Sequence, residues 1–162
     1  NFINQILLDY PDKKIVVDAD GLYSIDVSKK YNCQLVLTPH FYEFCKIFGL
    51  DTKLTFGNEF DMVSAKACEL NCIIHLKGKP SITSDGVNSV LTINGNSDMS
   101  TGGSGDVLTG IMVSMMTKNI SILDSVAAAA YIHAAAGDQY IKTNNKESLR
   151  ASDLIENLKV CY

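Results

Sequence analysis

The sequence predicts an α/β fold with a mostly parallel sheet flanked by helices on both faces, in three layers. Three observations carry this expectation. Short aliphatic runs (Ile15–Val17, Gln34–Leu37 and Cys72–Leu76) alternate with longer stretches of helical spacing. The runs lack polar alternation, as strands buried on both faces do. Each run is followed by a polar, Pro or Gly-bearing segment (Asp18–Gly21, Thr38–His40, Lys77–Pro80), and open sheets of this kind collect ligands at the carboxyl ends of their strands.

Taken in order, Phe2–Tyr10 places Phe2, Ile3, Ile6 and Leu7 at helical spacing, and Pro11-Asp12 stops that helix. Ile15–Val17 is the first strand, and Asp20-Gly21 signals a turn into a helix over Leu22–Lys30. After the strand Gln34–Leu37, a helix over His40–Phe48 ends at Gly49, a residue suited to a helix C-terminus. Asn58 opens the next helix, whose apolar side is Phe60, Met62, Val63, Ala67 and Leu70. Ser81–Thr83 and Val87–Ile93 read as two strands about the hairpin signal Asp85-Gly86. Helices are expected over Gly105–Thr117, over the Ala-rich Ser121–Tyr140 up to Asn144-Asn145, and over Ala151–Lys159 with Ser152 as its cap.

A length of 162 residues fits one domain with a real core. The net charge of −4 and the lack of a Lys/Arg stripe exclude a nucleic-acid surface. No apolar run approaches the roughly 20 residues of a membrane span, so no membrane partner is expected. Five cysteines (Cys33, Cys45, Cys68, Cys72 and Cys161), without CxxC spacing, read as reduced thiols of a cytoplasmic protein rather than a zinc site.

The chemistry concentrates in Asn94–Met116. Gly102, Gly103, Ser104 and Gly105 lead directly into an apolar helix. Glycines let consecutive N–H groups face one point, and the helix start adds its own unpaired N–H groups and positive dipole end. That combination is an anion cradle, an anion hole in catalytic terms, most often for phosphate. Asp106 is the addition that a simple cradle does not need. A base there could take the proton of a substrate hydroxyl as it attacks a phosphoryl group, while the N–H groups hold the developing charge. The spacing is not that of a P-loop or of GxGxxG. It misses GxSxG by one residue, and eight residues separate Ile93 from Gly102, so a sharp strand-to-helix elbow is lacking. A hydrolase with Ser104, Asp124 and His133 is the weaker reading for that reason. Elsewhere, Lys77 and Lys79 flank Gly78 as either solvated turn lysines or nucleotide contacts. His40 and Glu43 lie three apart at a helix start, as a cap or as groups facing substrate and a magnesium-bound water. Asp18 and Asp20 either build their turn or, for Asp20, join the site. His75 and His133 sit in apolar contexts and read as structural.

VVDADGLYSI, LTPHFYEF, HLKGKPSITSDG, NGNSDMSTGGSGDVLTGI, YIHAAAGD and ASDLIENL, in this order, resemble the successive blocks of the NAD(P)H-hydrate dehydratase family, ADP- or ATP-dependent repair enzymes of the ribokinase-like superfamily. The resemblance runs from about Ile15 to Leu158 and is most specific at TGGSGDVLTG. It implies a ribokinase-like fold, with residues 1–162 as a single domain of which the family's N-terminal strands are expected to be lacking. It also implies a reaction, in which hydrated NADH or NADPH is phosphorylated on its ring hydroxyl at the expense of ADP or ATP, and phosphate elimination restores the double bond. Asp106 would be the catalytic base, and Gly102, Gly103, Ser104 and Gly105 the anion hole. Lys77, Gly78, Lys79, Pro80 and Ser81, with Gly105, would bind the adenine nucleotide. His40, Asp20 and Asp106 would face the hydrated substrate, and Glu43 would act indirectly on Mg2+. A homo-oligomer is left open. The chain departs from the family at His40-Phe41-Tyr42-Glu43, where His-Pro-Gly-Glu is usual, and at Asn96-Ser97-Asp98-Met99, where Asn-Pro-Gly-Met is usual. Two other readings are a ribokinase-like kinase of a small hydroxylated metabolite and an inactive nucleotide-binding fragment.

Overall fold

A computed structural model describes residues 2–144 and 148–161. The chain divides into two compact units, Asn1–Leu91 and Thr92–Tyr162. The first contains α1 (Phe2–Asp9), β1 (Lys14–Val17), α2 (Asp20–Ser24), β2 (Gln34–Leu37), α3 (Phe41–Phe48), α4 (Thr52–Thr55), α5 (Glu59–Leu70), β3 (Ile73–Leu76) and β4 (Ser81–Ser84), and β5 (Ser89–Thr92) runs up to the boundary. The sheet order is β1-β2-β3-β4-β5. β1, β2 and β3 are parallel, with Val16 opposite Val36 and Val36 opposite Ile73. β4 runs antiparallel to β3, with Leu76 opposite Ile82.

The strand sequences explain their burial. Leu35, Leu37, Ile74 and Leu76 alternate onto one face and join Leu7, Leu22, Phe44, Val63, Ala67 and Leu70 in a single core. The residues between them, Val36, Ile73 and His75, are also buried, so β2 and β3 are covered on both faces, as their unbroken apolar runs require. His75 is satisfied there by Thr83, at 2.9 Å from Nδ1 to Oγ1, which gives it the structural role expected of it.

Three elements differ from the sequence expectation. The helix expected over Leu22–Lys30 is only α2, Asp20–Ser24. Asp26 stops it, because its carboxylate accepts from the N–H (3.1 Å) and hydroxyl (2.6 Å) of Ser28, and its own N–H donates to Asn4 (2.9 Å). Those bonds offer the backbone an alternative to the helix. The short α4 was not foreseen; Asp51 builds it by accepting from the N–H groups of Lys53 (2.7 Å) and Leu54 (3.3 Å). In the second unit, α8 (Ala151–Asn157) is capped at Arg150, whose N–H donates to Asp153 at 2.8 Å, so Ser152 lies inside the helix instead of capping it.

The second unit otherwise consists of a 3-10 turn (Ser97–Met99), α6 (Ser104–Met116), α7 (Ile122–Thr143) and a 3-10 segment after α8 (Leu158–Cys161). Ser121 caps α7 by accepting from Asp124 N–H at 3.0 Å. Asn145 and the side chain of Cys161, for which a helix stop and a thiol were expected, lie outside the described residues.

The Asp85-Gly86 turn between β4 and β5 is as expected, and Asp85 Oδ1 accepts from the N–H groups of Val87 (2.8 Å) and Asn88 (2.7 Å). Gly86 has φ +89, and a Cβ there would stand 2.5 Å from the backbone N of Cys68 in α5. Gly86→Ala combines a left-handed backbone with overlap against helix backbone that cannot give way. We expect it to destabilise the first unit by about 3 kcal/mol, read as a lower urea midpoint at unchanged denaturant slope.

Candidate functional site

On the first unit, the parallel register continues past the strands. Thr38 N–H donates to Val17 O at 3.2 Å and Lys77 N–H to Pro39 O at 2.8 Å, which brings the residues after β1, β2 and β3 together. His40 and Lys77 pair there as an isolated parallel bridge. The Lys77 ammonium lies 2.8 Å from Asp18 Oδ1 and 3.9 Å from Glu43 Oε2. Lys77, Asp18 and Glu43 are all largely withdrawn from solvent, with side-chain exposures of 26%, 15% and 10%. Low exposure strengthens their attraction relative to a surface pair.

His40 and Glu43 form a reciprocal cap at the start of α3. Glu43 N–H donates to His40 Nδ1 at 3.2 Å, and His40 N–H donates to Glu43 Oε2 at 2.8 Å. The cap fixes the imidazole, whose side chain remains 51% exposed, at the mouth of the strand ends. Asp20 is exposed at the first position of α2. Between Asp18 and Asp20 stands Ala19 with φ 49, a conformation that costs a non-glycine residue roughly 1–3 kcal/mol and is held by the turn around it. The turn from β3 to β4 exposes Gly78, Lys79 and Pro80, and Ser81 is already buried as the first residue of β4.

On the second unit, Gly103 adopts φ 85 and caps α6, the left-handed position that glycine occupies without strain. Ser104 N–H donates to Thr101 O (3.2 Å) and Val107 N–H to Gly103 O (3.1 Å). The N–H groups of Gly105 and Asp106 are the ones such a helix start leaves without an intrahelical carbonyl. Asp106 is exposed in this first turn, where the dipole favours its carboxylate. It lines an open cavity of about 460 Å3 with Val107, Gly110, Ile111 and Ser114 of α6 and Ile155 of α8. An accessible carboxylate beside free N–H donors and an apolar wall is suited to taking a proton while an anion is held alongside.

Ser104 is buried, and its Oγ lies 3.2 Å from His133 Nε2 on α7. Burial pushes the His133 pKa down to about 4, against a smaller upward effect of its hydrogen bond with Ser104. The imidazole is therefore neutral near pH 7 and buried, as expected for a structural histidine. The hydrolase reading gains the Ser104–His133 contact and no third member: Asp124 is engaged at the start of α7, accepting from Ser121 Oγ at 2.7 Å. Burial pushes the Cys72 thiol up to about 12 and also raises those of Cys33 and Cys45. Among the described residues, no group of three or more His, Cys, Asp or Glu could hold a metal ion, and no helix is long and apolar enough to cross a membrane.

The family model described as NAD(P)H-hydrate dehydratase matches residues 1–159. The chain belongs to this family. A bifunctional NAD(P)H-hydrate repair enzyme Nnr from Vibrio cholerae is 31% identical over 144 residues, covering 89% of this chain and 29% of that protein. An ADP-dependent (S)-NAD(P)H-hydrate dehydratase from Cenarchaeum symbiosum is 39% identical over 130 residues, 78% of this chain and 44% of that one. The crystal structure of the Bacillus subtilis ADP/ATP-dependent NAD(P)H-hydrate dehydratase, co-crystallised with ATP/Mg2+ and soaked with CoA, superimposes with a TM-score of 0.81 at 25% identity, over 90% of this chain and 54% of that one. A ribokinase-like superfamily protein from Enterococcus faecalis shares the fold, with a TM-score of 0.78 at 22% identity over 99% of this chain and 56% of that one. The chain thus spans less than half the length of these curated relatives and about half that of the solved ones.

Within the family frame, the structure brings His40, Glu43 and Lys77 together on one unit, and Asp106 with the glycine loop on the other. Asp18 is the member that sequence reasoning passed over in favour of Asp20. Its signal was its place immediately after β1, where a side chain meets those following the parallel neighbours.

His133 makes stability depend on pH with a definite sign. Its folded pKa of about 4 lies below the usual 6.5, so the unfolded chain takes up a proton first. The contribution is complete above pH 6.5 and declines as pH falls through 4, by up to about 3 kcal/mol. Urea unfolding between pH 7.5 and 4 checks this, and His133→Gln is expected to have a shallower acid slope than the parent.

Proposed function

We propose that this chain takes part in the ADP- or ATP-dependent dehydration of hydrated NADH or NADPH. The observation that carries the reading is Asp106, exposed in the first turn of α6 directly behind the left-handed Gly103, in a chain of this family. The names of the relatives, NAD(P)H-hydrate repair enzymes and ADP-dependent dehydratases, supply the substrate class.

In the proposed reaction, Asp106 takes the proton of the ring hydroxyl. The hydroxyl oxygen attacks the terminal phosphorus of the nucleotide, and the bridging P–O bond breaks with its electron pair going to the departing nucleotide. The N–H groups of the Gly102–Gly105 loop stabilise the charge on the transferring phosphoryl group. The ring C–O bond then breaks, phosphate leaves with that pair, and loss of the neighbouring ring proton restores the double bond. The water of the hydrate ends in the phosphate, so the sum is hydrated NADH plus ATP giving NADH, ADP and phosphate.

The remaining roles follow the same reading. His40, held by its cap, contacts the hydrated nicotinamide, and Asp20 is assigned to the substrate as well. Lys77–Ser81 and Gly105 bind the adenine nucleotide. The Lys77 ammonium is already paired with Asp18, so its contribution to nucleotide binding falls mainly to the backbone of this turn. Glu43 suits Mg2+ through water rather than directly, because Oε2 already accepts from His40 N–H and faces Lys77. Bound Mg2+ would neutralise phosphate charge, held chiefly by the nucleotide. Residues 1–162 are read as part of a single ribokinase-like domain acting in the cytoplasm, with self-association to be measured directly.

The test is return of reduced-nicotinamide absorbance when the protein meets hydrated NADH with ADP or ATP. Asp106→Asn should lower kcat about a thousandfold and leave nucleotide affinity within about twofold. Full turnover by that variant would remove Asp106 from the mechanism. Nucleotide consumption with a small hydroxylated metabolite, and none with hydrated NADH, would move the assignment to a kinase. Nucleotide binding without turnover of either substrate would leave a binding fragment.

A further inference from the structure

The loop from Asn94 to Thr101, which feeds the anion cradle, is held from one face of α7. At its far end, Ser104 is tied to His133. At its near end, Asn94 Nδ2 donates to Tyr131 O at 3.2 Å. Between them, both oxygens of Asp138 are used on the loop. Oδ2 accepts Gly95 N–H at 2.8 Å, and Oδ1 accepts the Asn96 side-chain amide at 3.0 Å. Asn96 in turn accepts from Asp98 N–H at 3.2 Å, which caps the 3-10 turn. The Met99 thioether rests on Gly137, where any Cβ would overlap its Sδ and Cγ.

We propose that Asp138 is a positioning residue for the anion cradle. A segment of about ten residues anchored to one rigid helix at both ends has little freedom in between, so the anchors set where the N–H groups of Gly102–Gly105 stand. A carboxylate is suited to this anchoring. It accepts two bonds at once, both strengthened by its charge, from a backbone N–H and an amide. Negative charge on the element supporting an anion site does nothing for phosphate binding, so the contribution of Asp138 is geometric. The adjacent Gly137 serves the same end by letting Met99 close on α7. Asp138 closes the block YIHAAAGD, but its partner Gly95 lies 43 residues earlier in the chain, so the bond itself is visible only in the fold.

The proposal rests on the reading of Asp106 and the glycine loop as a phosphoryl-transfer site, and the experiment separates the two. Asp138→Asn sets an amide against the Asn96 amide. Combining it with Asn96→Asp restores a carboxylate facing an amide with the partners exchanged. The single variant should lose about a hundredfold in kcat with KM for hydrated NADH little changed, and the reciprocal pair should regain most of that kcat. Parent kcat in the single variant overturns the proposal. So does a reciprocal pair that regains the thermal midpoint of the parent without its kcat, since that pattern marks a purely structural bond. If the parent does not turn over hydrated NADH, the dehydratase reading fails, and the cradle is read directly from the amide NMR signals of Gly103 and Gly105 titrated with inorganic pyrophosphate. Shifts in the parent and the pair but not in the single variant support the positioning role. Equal behaviour of all three, shifted or not, overturns it.

Discussion

The first unit depends on the parallel register of β1, β2 and β3. Parallel strands leave a sheet at the same edge, so the residues that follow them are neighbours whatever their separation in the chain. Here the register continues beyond the ladder through Lys77 N–H to Pro39 O, and it places the Lys77 ammonium against Asp18. The same ammonium lies 3.9 Å from Glu43 Oε2, which accepts from His40 N–H in the cap of α3. Shifting β3 by one residue would turn His75 and Ile74 to opposite faces and break both the Thr83 bond and the core contact at once.

The second unit answers a different constraint. A helix start carries N–H groups with nothing inside the helix to accept them, and α6 presents them behind a glycine with φ 85. Such donors are useful only if they are held still. The loop before them contains one 3-10 turn and no strand, so its order comes from α7 through Tyr131, His133, Gly137 and Asp138. The alanines of α7 let neighbouring backbone pack closely: Ala129, Ala130, Ala134 and Ala136 are all buried. Two further features keep competing chemistry out. His133 is neutral and buried beside Ser104, and Asp124 is occupied by Ser121, so the pair does not extend into a nucleophilic triad.

Much of this was legible in the chain itself. Strands with apolar residues on both faces leave an unmistakable pattern, and Val36, Ile74 and Leu37 are fully buried as that pattern requires. Local stop signals worked where they acted through a left-handed backbone, as at Gly49 with φ 62 and Gly86 with φ 89. They failed where a side chain competed for the backbone: Asp26 ended α2 early, and Asp51 made a short helix that periodicity does not reveal. The glycine loop and Asp106 were legible because a cradle on a helix N-terminus is local geometry. Asp18 and Asp138 lie in recognisable blocks, but their roles were not legible, because each gains its meaning from a partner far along the chain.

The chain alone carried the α/β class, the order of the strands, the helix start behind Gly103 with Asp106 in its first turn, and the family. All of these rest on periodicity, capping residues and short motifs, which act over a few neighbouring positions. Only the tertiary structure decided that Lys77 pairs with Asp18 across 59 residues, that Ser104 meets His133 across 29, and that Asp138 takes Gly95 across 43. The physical reason is that hydrogen bonds and ion pairs of this range follow from how elements are brought together. A carboxylate on a strand end or a helix face carries no local mark of the group it will meet.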